Sequence, residues 1–153
     1  MISLKGEKET IGFGEKISSL LKDGVTLALV GDLGSGKTTL SKAIIHSLTG
    51  IDDVVSPTFN IVNEYNANAK TIYHFDFYRL EDESELYGIG FDDYLSNKKA
   101  IIIIEWADRF ESSLPKNYLK FKFTKYDDAR DVEVISVGKK YMSIADEIEN
   151  LLK

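Results

Sequence analysis

The stretch Val25-Thr26-Leu27-Ala28-Leu29-Val30-Gly31-Asp32-Leu33-Gly34-Ser35-Gly36-Lys37-Thr38-Thr39-Leu40 decides how this chain is read. Its first six residues form an almost wholly apolar run, the pattern of a buried strand. Residues 31–38 match G-x-x-x-x-G-K-[ST] without a gap. Residues 37–48 then carry Leu40, Ala43, Ile44 and Leu48 at helical spacing, and Gly50 ends the pattern. In a strand–loop–helix setting the loop N–H groups converge at a helix N-terminus, where an anion is favoured. Gly31, Gly34 and Gly36 permit torsions and close approach that a β-carbon hinders. Lys37 supplies a positive charge for the β- and γ-phosphates, and the Thr38 hydroxyl suits Mg²⁺. The expected ligand is therefore a nucleoside triphosphate, ATP with Mg²⁺, and Asp32, Leu33, Gly34, Ser35, Gly36 and Lys37 form its cradle. Thr39 either touches the α-phosphate or packs in the first helical turn.

Working outward, residues 7–21 show a helical stripe of Ile11, Phe13, Ile17, Leu20 and Leu21, closed by a turn at Asp23-Gly24. Strands are expected over 59–65 and 71–78, joined by a polar turn at 66–69. Short helices are expected over 81–85 and 91–95. Residues 100–104 form the most apolar run, a central strand. Late strands are expected over 118–124 and 131–137. A closing helix covers 143–152, with Ser143 and Asp146 spaced as a capping box. Alternating strands and helices predict one α/β domain over residues 1–153. Its mostly parallel central sheet is flanked by helices, and the late strands lie at an edge where antiparallel pairing is open.

The chain has no Cys, which excludes disulfides and thiolate metal sites. The formal charge is −6, from 19 Lys and Arg against 25 Asp and Glu. That balance argues against direct DNA binding, which needs clustered cations. The first residues are too polar for a signal peptide, and no apolar run spans a bilayer, so a cytoplasmic protein without membrane contact is expected.

A triphosphate site also needs a carboxylate near the metal, at the end of a neighbouring strand. Two apolar runs end on acids, at Glu105 and at Asp76. One would bind Mg²⁺ and the other position water; the sequence leaves open which. Ser56-Pro57-Thr58-Phe59 sits where switch-type NTPases place a Thr that senses the γ-phosphate, although a proline-initiated turn reads as well. His74 reads as a satisfied structural histidine, His46 as a solvated one, and Trp106 as packing. Arg79 and Arg109 are open between phosphate contact and ion pairs. A small-molecule kinase is disfavoured because only three Arg occur and no lid insertion is visible. A Ras-like GTPase is disfavoured because Asn97-Lys98-Lys99-Ala100 lacks the guanine-reading Asp.

Taken in order, several motifs resemble the bacterial TsaE (YjeE-type) ATPases of tRNA threonylcarbamoyladenosine biosynthesis. They are Glu9-Thr10 with Gly14, the loop at 31–39, Ser56-Pro57-Thr58-Phe59, His74-Phe75-Asp76-Phe77-Tyr78-Arg79-Leu80, Ile104-Glu105-Trp106 and Ala129-Arg130. Ser35 and Ala129 depart mildly from the family pattern. The resemblance implies Thr38 and Glu105 at Mg²⁺ with Asp76 close by, and a switch-like loop at Thr58. It implies Trp106 beside the site in support of catalysis, Thr10 near the base or ribose, and Arg130 near the nucleotide. It further implies weak ATP hydrolysis alone, and action with TsaD and TsaB on adenosine 37, with tRNA reached through that complex.

Overall fold

In the computed structural model, which describes residues 1–152, the apolar runs form the middle of a seven-stranded sheet. The elements are β1 (Ile2–Lys5), α1 (Gly6–Ser18), β2 (Thr26–Gly31), α2 (Lys37–Thr49), β3 (Val62–Ala67), β4 (Lys70–Asp76), α3 (Ser84–Gly88) and α4 (Phe91–Ser96). They continue with β5 (Ala100–Glu105), a 3₁₀ segment (Ala107–Ser113), β6 (Tyr118–Tyr126), β7 (Ala129–Val137) and α5 (Met142–Asn150). Strand order is β1-β7-β6-β2-β5-β4-β3. The central strands β6, β2, β5 and β4 are mutually parallel. Antiparallel pairing occurs at both edges, β7 and β1 on one side and β3 on the other. The late strands pair antiparallel with each other, the pairing the sequence left open, but β1 lies outside them as the edge strand; the β3–β4 hairpin adds a second antiparallel edge.

Strand β5 is buried along its whole length because both faces are covered. Ile101 and Ile103 join the core beneath α1, α2 and α5, whereas Ile102 and Ile104 join the core beneath α3, α4 and the 3₁₀ segment. Each such side chain contributes about 1.5–3 kcal/mol by leaving water. Helices α1 and α2 approach closely at Gly14, where a β-carbon would stand 2.7 Å from Ala43 Cβ.

Three local expectations are corrected. Strand β3 begins at Val62, because residues 58–60 turn and Ile61 adopts φ 71°. The hairpin turn uses Asn68 and Ala69, both at positive φ, as a two-residue primed turn requires. Helix α5 starts at Met142 after Tyr141 with no side-chain cap, so the Ser143–Asp146 box does not form; Ser143 already lies inside the helix. Strand β1 and the 3₁₀ segment were not anticipated.

Gly31 ends β2 at φ 144°, and a β-carbon there would stand 2.6 Å from the Phe123 carbonyl oxygen and 2.8 Å from Phe123 Cβ. Gly31→Ala must therefore push β6 away from the loop. We expect it to lose about 2–3 kcal/mol of stability, by overpacking, and to lose nucleotide affinity with it. Urea unfolding and fluorescent-nucleotide titration check both; a variant unchanged in both would contradict the packing.

Candidate nucleotide-phosphate site

Parallel β2, β5 and β4 all end at one edge, where an open α/β sheet places ligands. Residues 33–39, Thr58, Asp76, Tyr78, Glu105, Trp106 and Arg130 line a cleft of about 290 Å³ there. Helix α2 has Gly36 at its start and no side-chain cap, so its first N–H groups face the cleft without a side-chain acceptor. They form a ready anion site.

Lys37 is 4 % exposed. Its Nζ donates to the Gly31 carbonyl at 2.7 Å, the Asp32 carbonyl at 2.8 Å and Ser35 Oγ at 3.3 Å. It also lies 4.2 Å from the Trp106 ring centroid, a cation–π distance. Burial pulls the ammonium below its ordinary value, against the opposing pull of Glu105, Asp108, Asp32 and Asp76. The loop thus satisfies the three donors while no carboxylate among the described residues pairs directly with the charge.

The register of β4 on β5 sets Asp76 beside Glu105. Alternation along each strand puts Ile72, His74 and Asp76 on one face, and Ile101, Ile103 and Glu105 on the same side of the sheet. Glu105 Oε1 accepts from Thr38 Oγ1 at 2.6 Å, and Oε2 lies 2.6 Å from His74 Nε2. Burial pushes the Glu105 carboxyl up, but the His74 contact, the Thr38 hydroxyl and the Lys37 charge outweigh it and leave the group below its ordinary value. Asp76 shows the opposite balance. Burial raises it, although the Tyr78 N–H and the Thr58 hydroxyl both donate to it, at 2.9 Å each. Ser56 Oγ is 2.7 Å from Thr58 Oγ1, so the Ser-Pro-Thr turn hangs on Asp76.

The other expected residues fall into place unevenly. Arg130 crosses from β7 and donates to the Gly34 carbonyl at 3.3 Å. Trp106 follows β5 at φ 58°, which turns its ring over the cleft and against Tyr78, with centroids 4.9 Å apart. Thr39 lines the cleft; Asp32 is exposed and offers its carbonyl rather than its carboxylate. Thr10 is buried in α1, donating to the Gly6 carbonyl, outside the cleft. Its neighbours Glu7 and Ile11 line an adjoining groove that shares Thr38 and Thr39 with the cleft. Arg109 donates to the Leu80 carbonyl, and Arg79 lies over the exposed Phe59 ring. His74, read from sequence as structural only, touches Glu105 directly. The signal for it was strand alternation: it stands two residues before Asp76 and therefore on the same face. Tyr78 also lines the cleft and was not anticipated as a site residue.

Comparison with known proteins gives the family and the fold. The family model of threonylcarbamoyl adenosine biosynthesis protein TsaE matches residues 4–132. The tRNA threonylcarbamoyladenosine biosynthesis protein TsaE of Haemophilus influenzae is 38 % identical over 145 residues, covering 90 % of this chain and 91 % of that protein. The Bacillus subtilis protein of the same description is 38 % identical over 143 residues, covering 92 % and 88 %. The crystal structure of Bacillus subtilis YdiB superposes with a TM-score of 0.80 at 29 % identity, covering 99 % of this chain and 95 % of that one. No helix among the described residues is long and apolar enough to cross a membrane.

Proposed function

The chain belongs to the TsaE family, and on that premise we propose that it is a Mg²⁺-dependent ATPase serving threonylcarbamoylation of tRNA adenosine 37. The observation that carries this reading is the convergence, at one sheet edge, of the loop ammonium of Lys37 with the Thr38–Glu105 and Thr58–Asp76 pairs.

The donor set fits Mg²⁺: hydroxyl and carboxylate oxygens, few in number, leaving room for phosphate and water. Thr38 and Glu105 would hold the ion, and Asp76 would hold it through water or orient the attacking water. When bound, the ion neutralises charge on the β- and γ-phosphate oxygens. The chain's own residues do the rest. The loop amides and Lys37 stabilise charge moving toward the leaving ADP. Thr58, bonded to Asp76, reports the γ-phosphate through the Ser56–Thr58 turn. Arg130 bounds the far wall of the cleft, and Thr10 stands behind the adjoining groove, where base or ribose would lie. Trp106 and Tyr78 cover the open side and restrict water.

The chain acts with TsaD and TsaB, its hydrolysis resetting the transferase between turnovers, and it reaches tRNA through that complex. Reconstituted modification, with the threonylcarbamoyl donor supplied, tests this. Repeated turnover should require both this chain and ATP. Undiminished multiple turnover without the chain would defeat the proposal.

A further inference from the structure

His74 is fully buried, and its Nε2 lies 2.6 Å from Glu105 Oε2. The other Glu105 oxygen accepts the Thr38 hydroxyl at 2.6 Å. The carboxylate is thus held at both ends, by strand β4 on one side and by the first turn of α2 on the other. His74 Nδ1 has no hydrogen-bond partner. With Glu105 ionised, Nε2 donates to Oε2, and Nδ1 stays buried without a partner. An imidazole placed only for packing would be poorly chosen here, because an apolar side chain of similar size would bury no orphan nitrogen. What the imidazole supplies, and an apolar residue cannot, is the donor to Oε2.

We propose that His74 is a positioning residue for the metal carboxylate: it occupies Oε2 and so fixes Glu105 with Oε1 turned to Thr38, as the cation site needs. The inference rests on the reading that Thr38 and Glu105 hold Mg²⁺. Without the donor, the carboxylate can swing about its side-chain torsions and present either oxygen. Partners of this kind, which orient a ligand without touching the metal, change metal affinity by about 10–100-fold.

The test is titration of the full-length protein with a fluorescent ADP, in MgCl₂ and separately in EDTA, so that metal-dependent and metal-independent affinity are read apart. Wild type should bind in both, more tightly with Mg²⁺. His74→Leu and His74→Asn, neither able to reach Oε2 with a donor, should keep the EDTA affinity within about twofold while the gain from Mg²⁺ falls about tenfold or more. His74→Gln, whose amide can reach Oε2, should recover most of that gain. An undiminished gain in either the Leu or the Asn variant would overturn the proposal. So would loss of the gain in all three variants, or unfolding of both Leu and Asn variants, which would make His74 a folding residue. Failure of the wild type to bind, or to respond to Mg²⁺, would instead defeat the nucleotide reading on which this one stands.

Discussion

Lys37→Ala is expected to lower ATP turnover by at least about 100-fold, the scale of losing one preorganised charge donor to the transition state. The ammonium is the cleft's cation closest to the loop carbonyls, held there by Gly31, Asp32 and Ser35. An arriving triphosphate would draw it from three neutral oxygens to charged ones, a gain enlarged by the burial of the ammonium. Lys37→Arg is expected to recover little. The position is 4 % exposed, and a planar guanidinium is bulkier than the ammonium it replaces. The fold should survive Lys37→Ala, since burial already disfavours the charge. Melting within about 4 °C of wild type, on the order of 1 kcal/mol, is the expected control. Phosphate release at saturating Mg·ATP is the measurement, and turnover within tenfold of wild type would remove Lys37 from the mechanism.

The parts of this arrangement that the sequence disclosed are those where a strong local pattern coincides with tertiary demand. An apolar run such as 100–104 has one comfortable place, the middle of a covered sheet. The loop at 31–38 is equally constrained, because its glycines adopt positive φ and Lys37 folds back onto its carbonyls. Edge elements carry no such coincidence. Strand β1 is four residues long with only Ile2 and Leu4 inward, too short for a periodic signal. Phe59 is expected to open a strand yet is 84 % exposed in a turn, since the turn begun at Pro57 outweighs β-propensity. Ser143 matched a capping box, but the chain enters α5 two residues earlier, with Tyr141 in the cap position. At the site, Asp76 and Glu105 were legible as acids ending apolar runs. Their hydrogen-bond partners were not, because Thr58 and His74 reach them through strand register and a turn between distant segments. His74 illustrates this: alternation puts it on the face of Asp76, but its contact with Glu105 depends on the β4–β5 register, which sets it beside Ile103 and is not readable from either strand alone.

The two neighbouring carboxylates should separate when each is removed, losing activity alike and changing stability in opposite directions. Glu105→Ala should cut turnover at least about 100-fold and also destabilise the protein. Its carboxylate lies below its ordinary value of 4.5 in the folded state, so the folded protein favours the ionised form. That contribution is present at neutral pH and is lost as pH falls from 4.5 through the folded-state value. Removal also leaves the His74 Nε2 buried without an acceptor, a loss on the order of 2 kcal/mol, or about 4–8 °C in melting temperature. Asp76 has the reverse sign. Burial raises it above its ordinary 3.8, so across that window the folded state holds a proton that the unfolded chain has released. Stability therefore falls as pH rises through the window, and the full penalty persists at neutral pH. Asp76→Asn keeps an acceptor for the Tyr78 N–H and an amide facing Thr58, and should melt about 2–4 °C higher at pH 7, on the order of 1 kcal/mol. The gain should shrink toward zero as pH approaches 3.8, while hydrolysis is lost at every pH. Melting curves of both variants from pH 4 to 8 decide the matter. Destabilisation of Asp76→Asn at pH 7, or a stabilised Glu105→Ala, would show that the burial balance at this sheet edge has been misjudged.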